Sequence, residues 1–99
     1  MYQDIFPEEV SQWKEKGAQI IDVREPKEYT SGHLPGAVNI PLGQLPNRTD
    51  EVEEPVVLVC ASGNRSGQAA QYLAEQRYEE VANLMGGTAG WRQRGHPTE

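Results

Sequence analysis

The sequence predicts an α/β domain in which a parallel sheet is covered by helices on both faces. Three observations carry that expectation. Val56-Val57-Leu58-Val59 is a run of aliphatic residues with no polar alternation, as a strand buried on both sides requires. Short apolar segments alternate with segments of helical spacing along the whole chain, the order that builds strand-helix-strand units. The central run also gives way abruptly to small and polar residues, Cys60-Ala61-Ser62-Gly63-Asn64-Arg65-Ser66-Gly67, before helical spacing takes over. At 99 residues, the chain suits one domain spanning 1–99 with one modest core and is too short for two.

Taken in order, residues 1–6 form a short strand or extended lead-in. Pro7-Glu8-Glu9-Val10 then opens a helix, since proline suits the first turn and the acidic pair complements the helix dipole. Val10, Trp13 and either Ile5 or Phe6 face inward, and Lys16-Gly17 supplies a basic last turn and a glycine cap. Residues 18–22 make the second strand, centred on Ile20-Ile21, and residues 27–31 a short helix; Arg24 and Glu28, at helical spacing, can pair locally. Gly32-His33-Leu34-Pro35-Gly36-Ala37 is dense in turn formers and leads into a brief strand over 38–41. A helical piece near 42–45 and a polar connection precede the central strand. The run 66–76 places Ala69, Ala70 and Leu73 on one helical face. Residues 81–84 are the last strand, and Gly86-Gly87 turns into a helix over 88–94 whose Trp91 packs on the core.

Charge and composition narrow the function. Fifteen acidic residues against nine basic ones give a formal charge of −6, and the basic residues form no patch, which argues against a nucleic-acid partner. No apolar run approaches the length of a membrane span, so no membrane partner is expected. A lone cysteine forms no internal disulfide, and an exposed thiol lasts best in a reducing compartment. The expected location is therefore cytoplasmic. Two histidines and one cysteine, widely spaced, make no metal-ligand pattern, and no cofactor is expected.

Cys60 falls where the central strand ends and faces the start of a helix. Open parallel sheets carry their ligand sites at that end, and a helix start presents unpaired N–H groups. Positive surroundings favour the nucleophilic thiolate. Arg65 adds a planar set of donors suited to oxyanions, and Gly63 allows the backbone angles of an anion-binding nest. The plainer reading is that Cys60 is an inert buried thiol. Right-handed crossovers bring Asp22 and Arg24 to the same end of the sheet, where they serve as a structural pair or a brace beneath the loop. His33, in a tight turn, reads as a hydrogen-bonding brace and not as a base.

Four stretches resemble a single-domain rhodanese, a sulfurtransferase. Asp22-Val23-Arg24-Glu25 with Glu28-Tyr29, and then residues 32–41 from Gly32-His33 to Ile40-Pro41, match the family's first signature. Cys60-Ala61-Ser62-Gly63-Asn64-Arg65-Ser66 matches its active-site loop, and Gly86-Gly87-Thr88-Ala89-Gly90-Trp91 its closing signature. The resemblance implies a five-stranded parallel sheet, a persulfide carried on Cys60, and a cradle of Ala61, Ser62, Gly63, Asn64, Arg65 and Ser66. It also implies thiosulfate as a small sulfur donor, cyanide or a thiol as acceptor, and a protein donor or acceptor as a further partner. The chain departs from the family at Phe6, where a small polar cap is common, and at Arg77, where a glycine often ends the helix. Ala61 puts no charge beside the thiol. The overall negative field opposes an incoming dianion, which predicts weak capture of thiosulfate that improves as salt screens the field.

Two other readings compete. Phosphatases and arsenate reductases of similar fold use a wider loop with five residues between cysteine and arginine, whereas four intervene here, Ala61 to Asn64. A phosphatase also benefits from an acid to protonate its leaving oxygen, and none is evident. A binding module that has kept the fold without the chemistry has no use for an intact cysteine.

Overall fold

The computed structural model describes all 99 residues, Met1–Glu99. Five strands, β1 (Gln3–Ile5), β2 (Gln19–Asp22), β3 (Val38–Asn39), β4 (Val56–Val59) and β5 (Val81–Leu84), form one sheet in the order β1-β5-β4-β2-β3. Every pairing is parallel. The helices are α1 (Val10–Glu15), α2 (Pro26–Thr30), α3 (Asn64–Glu75) and α4 (Gly87–Gln93). The expected parallel sheet, five strands wide, is therefore present. No helix is long and apolar enough to cross a membrane.

β4 lies between β2 and β5 with all four residues buried, which is why its sequence shows no polar alternation. Its side chains still alternate between two cores. Val56, Leu58 and Cys60 join Ile21, Ala69, Ala70 and Leu73 on the α3 side, while Val57 and Val59 join Ile20, Trp13, Leu84 and Trp91 on the other. Strand geometry thus aims Cys60 at α3 and its preceding neighbour away from it.

Several boundaries differ from the sequence expectations for local physical reasons. Pro7–Glu9 is a 3-10 turn, and the α-helix begins only at Val10. Phe6 has no side-chain acceptor, so the Glu9 carboxylate accepts the Phe6 N–H at 2.9 Å. The 42–45 piece is a 3-10 segment running Leu42–Asn47 with Pro46 inside it, since proline denies the i−4 bond of an α-helix. α3 starts at Asn64, two residues early, because Gly63 (φ +111°) turns the chain in the left-handed region. Arg77 sits at φ +72°, the left-handed backbone that a glycine would adopt without strain.

Candidate active site

Cys60 is the first residue past β4, and the loop from Ala61 to Gly63 carries the chain into α3. The Gly63 N–H donates to Cys60 Sγ at 3.0 Å, and Ser66 Oγ lies 3.3 Å from the same sulfur. The thiol is less accessible than the sequence predicts: the residue is only 1% exposed. Burial pushes the Cys60 thiol up. The Ser66 hydroxyl, when its single proton turns to the sulfur and not to Asn83, and the N–H groups of Ser66, Gly63 and Ser62 more than offset it, leaving the thiol below its ordinary value of 9.0. These N–H groups turn inward, so Cys60 is not a thiol walled in by hydrocarbon.

The loop's carbonyls are held outward by the closing signature. The Cys60 carbonyl accepts from the Thr88 N–H at 2.8 Å and from Thr88 Oγ1 at 3.2 Å, and the Ala61 carbonyl accepts from the Ala89 N–H at 3.0 Å. These donors belong to the first turn of α4, whose N–H groups have no partner within their own helix. The approach requires glycine at residue 87 (φ +57°), where a Cβ would lie 2.4 Å from the Cys60 carbonyl oxygen.

Of the two pairings open to Arg24, the structure forms the one with Asp22 and not the one with Glu28. The bond to Asp22 is two-pronged, Nε to Oδ1 at 2.9 Å and Nη2 to Oδ2 at 2.7 Å. Asp22 is 0% and Arg24 5% exposed, and Arg24 also donates to the Gly32 carbonyl at 2.8 Å. The pair is thus a buried clasp between the end of β2 and the turn after α2. Glu28 instead binds Arg65, Nη1 to Oε1 at 2.7 Å and Nη2 to Oε2 at 2.9 Å. The Arg65 hydrogen bonds hold the Glu28 carboxyl down at about 2, and Glu28 raises Arg65 in turn. The positive charge beside the loop therefore already has a counter-ion, and the N–H groups, not Arg65, dominate around the sulfur.

Other predicted residues fall into place around this frame. His33 is a brace: its Nδ1 lies 2.9 Å from the Tyr29 carbonyl, and its ring stacks on Tyr29 at 3.8 Å. Trp91 is buried, its indole N–H donating to the Pro97 carbonyl at 2.7 Å. Ser62, Gly63 and Asn64 border a groove of about 620 Å³ together with Tyr2, Asp4 and Asn83. Cys60 does not line that groove. Three contributors carry no role legible from local spacing: Glu28 at Arg65, the Gly87-Thr88 pair behind the loop, and Asn83. Asn83 is 4% exposed and receives the Ser66 hydroxyl at 2.5 Å. The signal for Asn83 was available, as a lone amide inside the apolar run Val81-Ala82-Asn83-Leu84.

A sulfur at the carboxyl end of a central parallel strand, ringed by backbone N–H groups and followed by an arginine, defines an α/β domain with a cysteine-loop cradle. The family is then plain from sequence comparison: the model of the rhodanese-like domain matches residues 6–94, and the chain belongs to that family. It is 37% identical over 93 residues to thiosulfate sulfurtransferase GlpE of Pseudomonas aeruginosa, covering 92% of this chain and 84% of that one. It is 50% identical over 76 residues to the uncharacterized protein YqhL of Bacillus subtilis, covering 75% of this chain and 60% of the relative. The crystal structure of a rhodanese-related protein from Thermoplasma volcanium superimposes with a TM-score of 0.88 at 28% identity, over 99% of this chain and 98% of that one.

Proposed function

We propose that the chain transfers sulfane sulfur through a persulfide on Cys60, with thiosulfate or a protein persulfide as donor and a thiol or cyanide as acceptor. The observation that carries this reading is the inward Gly63 N–H on Sγ at 3.0 Å, in a loop with four residues between cysteine and arginine. The name of the GlpE relative, a thiosulfate sulfurtransferase, points the same way. The Cys60 thiolate attacks the outer sulfur of thiosulfate, a bond forms between the two sulfurs, and the S–S bond to the sulfonate breaks. Sulfite leaves with the bonding pair, and Cys60 keeps a persulfide anion. The loop N–H groups face the charge that moves during this exchange. An acceptor thiolate or cyanide then takes the terminal sulfur and restores the thiolate. Neither step transfers a proton, consistent with His33 serving as a brace.

Incubation with thiosulfate, removal of the excess and measurement of intact mass test the proposal. A gain of one sulfur atom that is lost on adding cyanide, and is absent in Cys60→Ser, is the expected result. No gain in the unaltered chain would favour a binding module, and hydrolysis of an aryl phosphate would favour a phosphatase.

The Glu28–Arg65 pair bears on how well the donor is captured. Glu28 stays ionised down to about pH 2. Because its folded value lies below the ordinary 4.5, the pair's contribution to stability is complete above about pH 4.5 and is lost as pH falls toward 2. Across the neutral range Arg65 therefore keeps its counter-ion. Glu28→Gln is expected to lower the KM for thiosulfate about two- to fivefold, and the KM of the unaltered chain should fall as ionic strength rises. A KM that rises in both experiments would assign Glu28 to holding Arg65 in position instead.

A further inference from the structure

Ser66 has one hydroxyl proton and two neighbours able to accept it. Its Oγ lies 2.5 Å from Asn83 Oδ1 and 3.3 Å from Cys60 Sγ, and the residue is 0% exposed, so no solvent is at hand to supply a second donor. The orientation of Asn83 decides which neighbour receives the proton. Asn83 Nδ2 faces Asp4 Oδ1 at 3.1 Å and the Gly63 carbonyl at 3.3 Å. A carboxylate and a carbonyl only accept, so the amide nitrogen must point at them and the amide oxygen at Ser66. That oxygen cannot donate. At 2.5 Å, Ser66 must give its proton to it.

From this geometry we infer that Asn83 is a positioning residue, which commits the Ser66 hydroxyl proton away from Cys60 and so restrains ionisation of the thiol. While Cys60 is neutral, Ser66 Oγ meets it with a lone pair able to accept the S–H. Once the sulfur is an anion, the same lone pair opposes it unless the hydroxyl rotates and abandons Asn83. The backbone N–H groups, which have no competing partner of this kind, favour the thiolate throughout. The clamp is completed by Asp4 on the edge strand β1, 79 residues from Asn83 in the chain. The other charged groups around the thiol are already paired: Arg65 with Glu28, and Asp22 with Arg24. Beyond α4's N–H groups and the Thr88 hydroxyl, which bind loop carbonyls, Arg92 turns to the Ser31 carbonyl and Arg94 to Glu8.

The inference concerns the acidity of Cys60 and stands whether or not the chain transfers sulfur. Its test is the pH dependence of iodoacetamide alkylation of Cys60, the single cysteine, in variants whose folding is verified by circular dichroism. Asn83→Leu removes the competing acceptor and is expected to lower the apparent thiol pKa by about half a unit or more, roughly threefold faster alkylation at pH well below it. Ser66→Ala should change the unaltered chain by less than that, yet reverse the gain when combined with Asn83→Leu. The inference is overturned if Ser66→Ala alone raises the apparent pKa by half a unit or more, or if folded Asn83→Leu leaves it unmoved or raises it. Should Asn83→Leu fail to fold, NMR of the unaltered chain decides. A slowly exchanging Ser66 hydroxyl proton with a stronger Overhauser contact to Asn83 than to the Cys60 β-protons supports the inference, and the reverse pattern ends it.

Discussion

Gly87→Ala is expected to reduce sulfur uptake by Cys60 at least tenfold and to destabilise the fold by about 2 kcal/mol or more. The added Cβ would lie 2.4 Å from the Cys60 carbonyl oxygen and 2.6 Å from the carbonyl carbon and oxygen of Ala61. All three are backbone atoms, so no side chain can swing aside. Either the loop moves, carrying the N–H groups off the sulfur, or α4 retreats and releases the Cys60 and Ala61 carbonyls it holds. Displacements of about 1 Å at a reacting centre cost on the order of a hundredfold in rate. Gly36→Ala is the control: its φ is +81° with nothing within 4 Å of the added carbon, so it carries only the left-handed penalty of about 1–2 kcal/mol and should leave uptake intact. Uptake and thermal denaturation measured on both variants check the result. Equal uptake by the two would show that the loop does not depend on close contact with α4.

Arg24→Met is expected to be the most destabilising change of a charged residue in the chain. It leaves the Asp22 carboxylate, 0% exposed, with only the backbone N–H of residue 24 at 3.0 Å. It also removes the donor to the Gly32 carbonyl. Breaking one side of a buried ion pair costs about 3–5 kcal/mol, which for a domain of this size lowers the thermal midpoint by about 12 °C or more. The double variant Asp22→Leu with Arg24→Met removes both charges and should recover most of the loss, since apolar replacement of a whole buried pair is often nearly neutral. Thermal unfolding of the three chains tests this. If the double variant is no better than Arg24→Met, the essential element is the Gly32 bond rather than the charge pair.

The sequence disclosed the scaffold more readily than the connections among its polar groups. Val56–Val59 announced a central strand because burial on both faces leaves no polar position, and the parallel order followed from alternating strands and helices. Cys60 and Gly63 were legible because a thiol at a strand end and a glycine before a helix are local patterns. Glu28 was not, for its partner Arg65 is 37 residues away, and helical spacing suggested Arg24 instead. That local pairing lost because Asp22 sits two residues from Arg24 in an interior where an unpaired carboxylate is costly. Asn83 was visible only as an anomaly, a polar residue in a buried strand whose partners come from two distant segments, Asp4 on β1 and Gly63 with Ser66 at the start of α3. The depth of Cys60 was likewise hidden, since exposure depends on how α3 closes over the strand end.

The sheet order has a consequence for how the molecule comes together. β1, the first strand, has β5, the last, as its sole neighbour, and the carbonyls of the cysteine loop are held by residues 88 and 89. A growing chain that has not yet reached Val81–Leu84 therefore has no place for its first strand, and one that has not reached Ala89 leaves the carbonyls of the cysteine loop unheld. The reactivity proposed for Cys60 is therefore expected to arrive late in folding, with closure of a loop nearly as long as the chain, and protease clipping near either terminus should silence the thiol before it unfolds the sheet.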